Sequence, residues 1–210
     1  MNFELPEMKY IIENSVEGHE RYLAYQERRL YLIGGIEPVE DDEDCLSKAS
    51  QIVDDIISYN RQDAGLSPDE RMPIRLYINS PGGDIREGFS IVSAIELSKT
   101  PVYTINIGTW YSMAFLIGIA GHKRFALPYM RFLMHDGFSG IIDSGSKVQD
   151  RVAFDVRFER EVIKPHVLKY SNMEEKTYDN LVRVEYYLLP EDAKEHGFID
   201  EIVTDIDTIL

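Results

Sequence analysis

The sequence predicts an α/β domain with a mostly parallel sheet, and three observations lead to that prediction. Strand-like runs of β-branched, aromatic and aliphatic residues alternate with segments whose apolar residues recur at helical spacing. The order is β-α-β-α-β, and helices that connect successive strands are typical of a parallel sheet. The chain has 210 residues, of which 44% are hydrophobic, so one domain can bury a full core.

The first two thirds of the chain carry the alternating elements. Residues 1–27 are polar and weakly periodic, and we expect an N-terminal arm there, followed by a single domain over residues 28–210. The predicted strands lie in residues 28–36, 74–79, 102–108, 124–128 and 131–135, and the predicted helices cover about 44–59, the segment between Gly83 and Thr100, and 111–121.

The last third of the chain is predicted to be mostly helical. Ser146-x-x-Gln149 has the form of a capping box, in which two side chains bond the free N–H groups at a helix start. A helical stripe continues to Pro165, which should kink or end the helix because its ring removes an N–H group and clashes with the preceding turn. A helix over about 174–182, a short helix stopped by Gly197 and a strand in 198–203 close the domain.

The charge and the cysteine content limit the partners and the setting. The formal net charge is −15, which argues against nucleic acid and an anionic membrane surface, because both bind through Lys and Arg patches. Cys45 is the one cysteine, so an intrachain disulfide is impossible and a cytoplasmic setting fits. We see no signal peptide, and the longest uncharged apolar run, residues 113–121, is far shorter than the roughly 18 residues of a membrane helix.

Three predicted strands end in residues that could perform acyl transfer. They end at Ser80-Pro81-Gly82-Gly83, in the loop that carries Ser112, and at His135. Active sites of open α/β sheets form beyond the carboxyl ends of the strands. A glycine-rich corner offers backbone N–H donors for an oxyanion, a serine hydroxyl is a nucleophile, and a histidine is a base with a suitable pKa near neutrality.

Each of these residues also has a simpler interpretation. Ser112 could cap a helix, His135 could be a hydrogen-bonded histidine at a strand end, and Gly82-Gly83 could be an ordinary turn. The G-x-S-x-G motif of α/β hydrolases is absent from the sequence. The remaining histidines share no metal-ligand spacing, so we predict no metal site, and without a phosphate-binding loop we expect no ATP hydrolysis.

Four segments resemble the proteolytic subunit of the Clp protease family. They are YINSPGGDIREGFSIVSAI, INIGTWYSMAFLIGIAG, KRFALPYMRFLMHD and LLPEDAKEHGFIDEIV, in the family's order and at nearly its spacing, and the resemblance covers roughly residues 28–204. It implies a crotonase-like spiral of ββα units with a protruding handle helix, here about residues 141–170. It also implies a serine endopeptidase that needs no cofactor, cleaves unfolded polypeptides inside stacked seven-membered rings, and receives them from a partner AAA+ unfoldase.

The resemblance assigns a role to individual residues. The nucleophile falls on Ser112, the general base on His135, and the oxyanion donors on the backbone N–H groups of Gly83 and Met113. The third member of the triad, usually an aspartate, falls on Glu185, counting back from the closing helix. The substrate path is expected to involve Asp84, Ile85 and Phe138.

The sequence also departs from the family pattern. Glutamate replaces aspartate at Glu185, Ala114 stands where the family prefers glycine, and the acid–arginine pair that helps to lock two rings together falls on Arg183-Val184. Asp136 and Asp192 are alternatives for the triad acid. Two other functions stay open at this point: a catalytically weak ring subunit or scaffold, and a crotonase-type acyl-CoA enzyme that also uses a backbone oxyanion hole.

Overall fold

A computed structural model describes residues 16–38, 46–137 and 140–210, and within them the chain folds around a seven-stranded sheet. The strands are Arg29–Ile33 (β1), Ile74–Ser80 (β2), Val102–Tyr111 (β3), Lys123–Ala126 (β4), Arg131–Met134 (β5), Tyr186–Leu188 (β6) and Glu201–Ile202 (β7). The α-helices are Val16–Gln26 (α1), Lys48–Gln62 (α2), Ile85–Leu97 (α3), Met113–Ile119 (α4), Gly145–Phe158 (α5), Lys164–Lys169 (α6), Glu175–Leu181 (α7) and Pro190–Glu195 (α8). Short 3₁₀ turns lie at Pro68–Glu70 and Ile206–Ile209, and a π-helical turn covers Glu159–Ile163.

The sheet is parallel except at one edge, as the sequence predicted. Its main path is β1-β2-β3-β4-β7, and every pair along it is parallel. The long strand β3 pairs with β4 through Tyr103 to Asn106 and with β5 through Thr109 to Tyr111. β5 then pairs antiparallel with β6. The far end of β3 is therefore flanked by β5 and β6, and this is the part of the sheet that carries the chemically interesting residues.

The main core lies between the sheet and helices α2, α3 and α4. Strand β2 contributes Ile74, Leu76 and Ile78, which are fully buried. All seven residues of α4 are buried, because this helix has no charged side chain and lies inside the fold. Burial of each large apolar side chain contributes about 1.5–3 kcal/mol, so α4 is held firmly. A smaller cluster on the opposite face of the sheet contains Tyr77, Ile105, Phe125, Val203 and Ile209.

The helix α5 begins earlier than the sequence predicted. Its N-cap is Ser144, with extended dihedral angles of φ −62° and ψ 149°, and its first residue is Gly145. Ser146 therefore lies inside the helix, where a capping residue cannot adopt the required extended conformation. The predicted Ser146–Gln149 capping box is wrong, and the Ser144 side chain makes no capping hydrogen bond either.

Pro165 does not end the helical path, contrary to one of the two predicted outcomes. The chain forms the π-helical turn Glu159–Ile163 immediately before it, and the Lys164 N–H donates to the Glu159 carbonyl, five residues back. A π turn widens the helix locally, and α6 continues the path with Pro165 as its second residue. The proline is thus accommodated by an extra residue in the turn.

The second half of the N-terminal arm is the helix α1, which weak periodicity did not predict. Tyr25 on α1 contacts Tyr59 on α2, with ring centroids 5.2 Å apart, and the Tyr59 hydroxyl donates to the Tyr25 carbonyl at 3.1 Å. Just after the helix, Arg28 donates two hydrogen bonds to the buried Asp63 carboxylate, at 2.6 and 2.7 Å. These contacts dock the described part of the arm on α2. The first 15 residues and residues 39–45, including Cys45, lie outside the described residues.

Candidate active site

Ser112 lies at a sharp corner between β3 and α4. Its dihedral angles are φ 54° and ψ −123°, and such a conformation costs a residue with a side chain about 1–3 kcal/mol. Backbone hydrogen bonds hold it: the Ser112 N–H donates to the Leu133 carbonyl at 3.0 Å, and the Ser112 carbonyl accepts from Phe115 at 2.9 Å. Strained backbone that is fixed by its surroundings is typical of functional sites.

The Ser112 side chain does not cap the helix that follows it. Ser112 occupies the N-cap position of α4, yet its hydroxyl makes no capping hydrogen bond, and among the described residues it has no hydrogen-bonding partner. The simpler interpretation, a serine kept as an N-cap, is therefore not what the structure shows. The structure thus has a half-buried hydroxyl without a partner at a strained corner.

Gly82 and Gly83 fit closely against this corner, because both have positive φ angles, 93° and 146°. A Cβ atom on Gly82 would lie 2.7 Å from the Tyr111 carbonyl oxygen and 2.8 Å from the Ser112 Cβ. A Cβ atom on Gly83 would overlap the Ile36 carbonyl oxygen. Glycine is needed at both positions because no other residue leaves room for these neighbours.

The backbone of Gly83 is fixed by Ile36, which donates its N–H to the Gly82 carbonyl at 2.9 Å and accepts the Asp84 N–H at 2.7 Å. Because the Gly82 carbonyl points to Ile36, the Gly83 N–H of the same trans peptide points away from Ile36. The Met113 N–H is the first of α4 and has no acceptor within the helix. Its nitrogen lies 2.9 Å from the position that a Gly82 Cβ would take, so it borders the corner formed by Gly82 and Ser112.

His135 follows β5, next to the serine. The pair Tyr111–Leu133 joins the ends of β3 and β5, so His135 continues the strand that lies beside Ser112. Its Nε2 atom is buried and has no hydrogen-bond partner among the described residues. Leaving a buried polar atom unsatisfied costs about 1–3 kcal/mol, which a purely structural histidine would avoid. The simpler interpretation of a hydrogen-bonded strand-end histidine does not describe this nitrogen.

Glu185 lies directly before β6, and the strand register places it near His135. Met134 is opposite Tyr186 in the last pair of β5 and β6, so His135 and Glu185 each lie one residue beyond that pair. The Glu185 side chain is exposed, and its Oε2 accepts a hydrogen bond from the Tyr187 hydroxyl at 2.9 Å. Tyr187 carries no motif, and the sequence analysis did not identify it.

Asp192 and Asp136, the two alternatives for the triad acid, have other surroundings than Glu185. The Asp192 carboxylate accepts the Leu189 N–H at 3.0 Å and so caps the start of α8. Asp136 is exposed and is anchored by its backbone, since its N–H donates to the Val182 carbonyl at 2.8 Å. Ser112, His135 and Glu185 thus lie at one edge of the sheet, but among the described residues no hydrogen bond joins their side chains.

The residues expected along the substrate path begin helix α3. The Asp84 carboxylate caps this helix by accepting the N–H groups of Arg86 and Glu87, at 2.8 and 3.1 Å. The hydrogen bond from the Arg86 side chain is the main reason that the pKa of Asp84 is lowered, despite partial burial. Ile85 is 39% exposed. Phe138 lies outside the described residues.

Three of the other four histidines have structural partners. His122 Nδ1 accepts the Val102 N–H at 3.0 Å, His166 Nε2 lies 2.8 Å from the Leu116 carbonyl, and His196 Nε2 lies 2.9 Å from the Tyr186 hydroxyl. In residues 16–38, 46–137 and 140–210, no three His, Cys, Asp or Glu side chains form a group that could hold a metal ion. Across the same residues, every helix is too short or too polar to traverse a bilayer.

Comparison with known proteins identifies the family of this chain. The model of the Clp protease family matches residues 48–205. The ATP-dependent Clp protease proteolytic subunit 2 of Prochlorococcus marinus subsp. pastoris is 35% identical over 147 residues, which are 66% of this chain and 70% of that protein. The subunit of the same name from Prochlorococcus marinus strain MIT 9312 is 33% identical over 147 residues, 66% of this chain and 69% of that protein.

The fold and the family match together define the class of the protein, an α/β serine peptidase. The chain belongs to the Clp protease family. The resemblance found in the sequence is thereby confirmed, and the parallel sheet agrees with the crotonase-like fold that it implied. The alternative of an acyl-CoA enzyme is set aside, because the matching relatives are proteolytic subunits.

Proposed function

We propose that the chain is an endopeptidase that cleaves unfolded polypeptides inside an oligomeric ring, and that a partner AAA+ unfoldase delivers them. The observation that carries the proposal is the corner at Ser112, where a strained serine with an uncapped hydroxyl lies against Gly82. The relatives are named as subunits of an ATP-dependent protease, and this chain has no phosphate-binding loop of its own. The ATP-driven step therefore belongs to a partner.

In the proposed reaction, the Ser112 Oγ attacks the scissile carbonyl carbon of the substrate. His135 takes the hydroxyl proton as the general base and later gives it to the leaving amine. The tetrahedral oxygen is stabilised by the N–H groups of Gly83 and Met113. Water then hydrolyses the acyl-enzyme, with His135 acting as the base again.

We assign the acid of the triad to Glu185. The β5–β6 register supports this choice, since His135 and Glu185 each lie one residue beyond its last pair. A carboxylate in that place accepts the second ring N–H of the histidine, fixes its tautomer and stabilises the imidazolium that forms during the attack. Asp192 is a weaker candidate because its carboxylate already caps α8.

We place the substrate along the segment that leaves Gly83 and includes Asp84 and Ile85, with Phe138, which follows His135 in the chain, as a further contact. The Asp84 carboxylate caps α3, and its backbone N–H and carbonyl bond Ile36 and Gly88, so Asp84 would form part of the wall of the path. Ile85 offers a partly exposed apolar side chain that would contact the peptide close to the proposed oxyanion donors.

We propose that the chain assembles into seven-membered rings that stack in pairs through the handle. The helix α5 carries Val152, Phe154 and Val156, which are 48%, 61% and 62% exposed, and exposed apolar patches commonly mark interfaces. A native mass near fourteen subunits is the expected result. A single ring would show that the Arg183-Val184 departure prevents stacking, and a monomer at every concentration and salt would contradict the proposal.

The lone cysteine supports a cytoplasmic location.

Replacement of the nucleophile tests the proposed reaction. Ser112→Ala removes one oxygen, so the fold should persist while kcat for a fluorogenic peptide falls by about 10⁶-fold, the scale expected for the loss of a serine nucleophile. Labelling by a fluorophosphonate should disappear. Ser93→Ala is the matched control, because Ser93 is exposed on α3 and its hydroxyl only bonds the Phe89 carbonyl. Undiminished turnover by pure Ser112→Ala protein would refute the assignment, and a wild-type protein that neither labels nor cleaves would indicate a scaffold subunit.

A further inference from the structure

Tyr187 connects the proposed acid to the strand that carries the nucleophile. Its hydroxyl donates to Glu185 Oε2 at 2.9 Å. Its ring meets the Tyr111 ring edge to face, with centroids 5.9 Å apart and an interplanar angle of 80°. Tyr111 directly precedes Ser112 in the chain. The Tyr187 side chain therefore contacts both Glu185 and the residue that precedes Ser112.

The strand register explains how Tyr187 reaches both partners. Glu185 and Tyr187 are two residues apart along the chain, so their side chains share a face of the extended segment. Leu133 pairs with Tyr111 on one side and with Tyr187 on the other. The two tyrosine rings thus approach each other over Leu133, and the Tyr187 hydroxyl lies beside Glu185.

Glu185 presents a problem of orientation that an aspartate would not. A glutamate has one more rotatable bond than an aspartate, and this one is exposed next to a strand of only three residues. A triad acid must hold one oxygen toward the imidazole ring in a fixed direction. The Tyr187 hydroxyl occupies Oε2, whereas Oε1 has no hydrogen-bond partner among the described residues.

We propose that Tyr187 is a positioning residue for peptide hydrolysis, which holds Glu185 by Oε2 so that Oε1 faces His135. The inference rests on the proposed role of Glu185 as the triad acid. Tyr187 touches neither the substrate nor the reacting atoms and acts through the carboxylate. It compensates for the longer acid by fixing the bond that an aspartate lacks.

The variant Tyr187→Phe tests this role because it removes the hydroxyl and keeps the ring. The Tyr111 contact should survive, and Tyr187 is 56% exposed, so the melting temperature and the native mass should not change. We expect kcat to fall about tenfold with KM unchanged, the size expected for one hydrogen bond to a charged group near the surface. Fluorophosphonate labelling of Ser112 should slow by a similar factor. Tyr186→Phe is the matched control, since the Tyr186 hydroxyl bonds His196 and not Glu185, and its kcat should stay within twofold of the wild type.

A double variant separates this inference from the assignment of the acid. In the Glu185→Gln background, Tyr187→Phe should cause no further loss of kcat, because residues that act through one another are not additive. A slow Glu185→Gln enzyme together with a normal Tyr187→Phe enzyme would overturn the role of Tyr187 and leave Glu185 in place. A tenfold loss that persists in the Glu185→Gln background would also overturn it. Normal turnover by Glu185→Gln would remove both assignments at once.

Discussion

The two corners of the candidate site are built in different ways. At the nucleophile corner, the positions of Gly82, Gly83 and Ser112 are set by backbone hydrogen bonds and by close contacts that leave no room for a Cβ atom. At the acid corner, Glu185 is exposed, precedes a strand of three residues and is held by the hydroxyl of Tyr187. One half of the site is therefore fixed by the fold itself, while the other half depends on side-chain contacts.

The difference has a practical consequence for variants. A group held by side chains can be exchanged chemically without moving the backbone, so variants at Glu185 report on the reaction alone. A glycine packed closely against its neighbours cannot gain a side chain without strain, so variants at Gly83 report on geometry and folding together.

After loss of the nucleophile itself, the largest effect should come from the acid corner. Glu185→Gln keeps the shape of the side chain and removes its charge, so assembly should persist while kcat falls by up to about 10⁴-fold, as expected when a triad acid becomes an amide. Glu185→Asp should lose less, because the carboxylate is retained. Turnover of the fluorogenic peptide and the labelling rate of Ser112 measure both effects. If Glu185→Gln is near normal and Asp136→Asn or Asp192→Asn is severely impaired, the acid lies elsewhere and the register argument fails.

A smaller loss is expected at the nucleophile corner from Gly83→Ala. The added Cβ would meet the Ile36 carbonyl, at a φ angle of 146°, and so should displace the N–H donor. The expected loss of kcat is about 10²–10³-fold, the scale for one oxyanion donor, with reduced stability in denaturant unfolding. Gly65→Ala is the control, because Gly65 also has a positive φ angle but open space around it. It should cost about 1 kcal/mol of stability and no activity. Normal turnover by Gly83→Ala would show that the corner is less rigid than its contacts indicate.

The smallest effect concerns the support of α4, behind the nucleophile. Burial lowers the pKa of His166, although its hydrogen bond to the Leu116 carbonyl and the nearby Glu96 act in the opposite direction. The unfolded state therefore binds a proton first, so this contribution to stability is present above about pH 6.5 and is lost as the pH falls below it. Burial also lowers the pKa of His122, which adds a change of the same sign.

Denaturant unfolding at pH 7.5 and pH 5.5 measures this dependence. His166→Gln keeps an N–H donor for Leu116 but does not titrate, so its stability should change less between the two pH values than that of the wild type. One proton contributes at most about 1.4 kcal/mol per pH unit. An unchanged pH dependence in His166→Gln would show that His166 is not the titrating group.

Much of the fold could be predicted because its signals are local. The strand at 74–79 and the helix after Gly83 follow from residue type and spacing, and the structure has them at Ile74–Ser80 and Ile85–Leu97. The helix α1 could not be predicted, because it is weakly periodic and docks mainly through Tyr25. The π turn before Pro165 and the true start of α5 depend on backbone geometry that the capping pattern and the proline alone do not specify.

The candidate site likewise has residues that local sequence signals predict and residues that only the structure reveals. Ser112 and His135 were found because strand ends converge in a parallel sheet, a rule that needs no side-chain detail. The strained φ angle of Ser112 could not be predicted, since no flanking glycine pattern announces it. Glu185 follows from counting along a family resemblance, and its nearness to the end of β5 emerges only from the strand register. Tyr187 was missed because its role depends on where a side chain points.

The π-helical turn at Glu159–Ile163 has a consequence for the phase of the handle. A π turn holds one residue more than an α-helix needs over the same rise, and one residue corresponds to about 100° of rotation in an α-helix. Deleting one residue would remove the bulge and leave the direction of α5 relative to α6 nearly unchanged, whereas winding the turn as regular α-helix with all its residues would rotate α5 by about that angle. Val152, Phe154 and Val156 would then face a different direction, while Ser112 and its neighbours stayed in place. One residue of helical register therefore sets the direction in which the apolar side chains of the handle face. That direction decides which surface can pack against them.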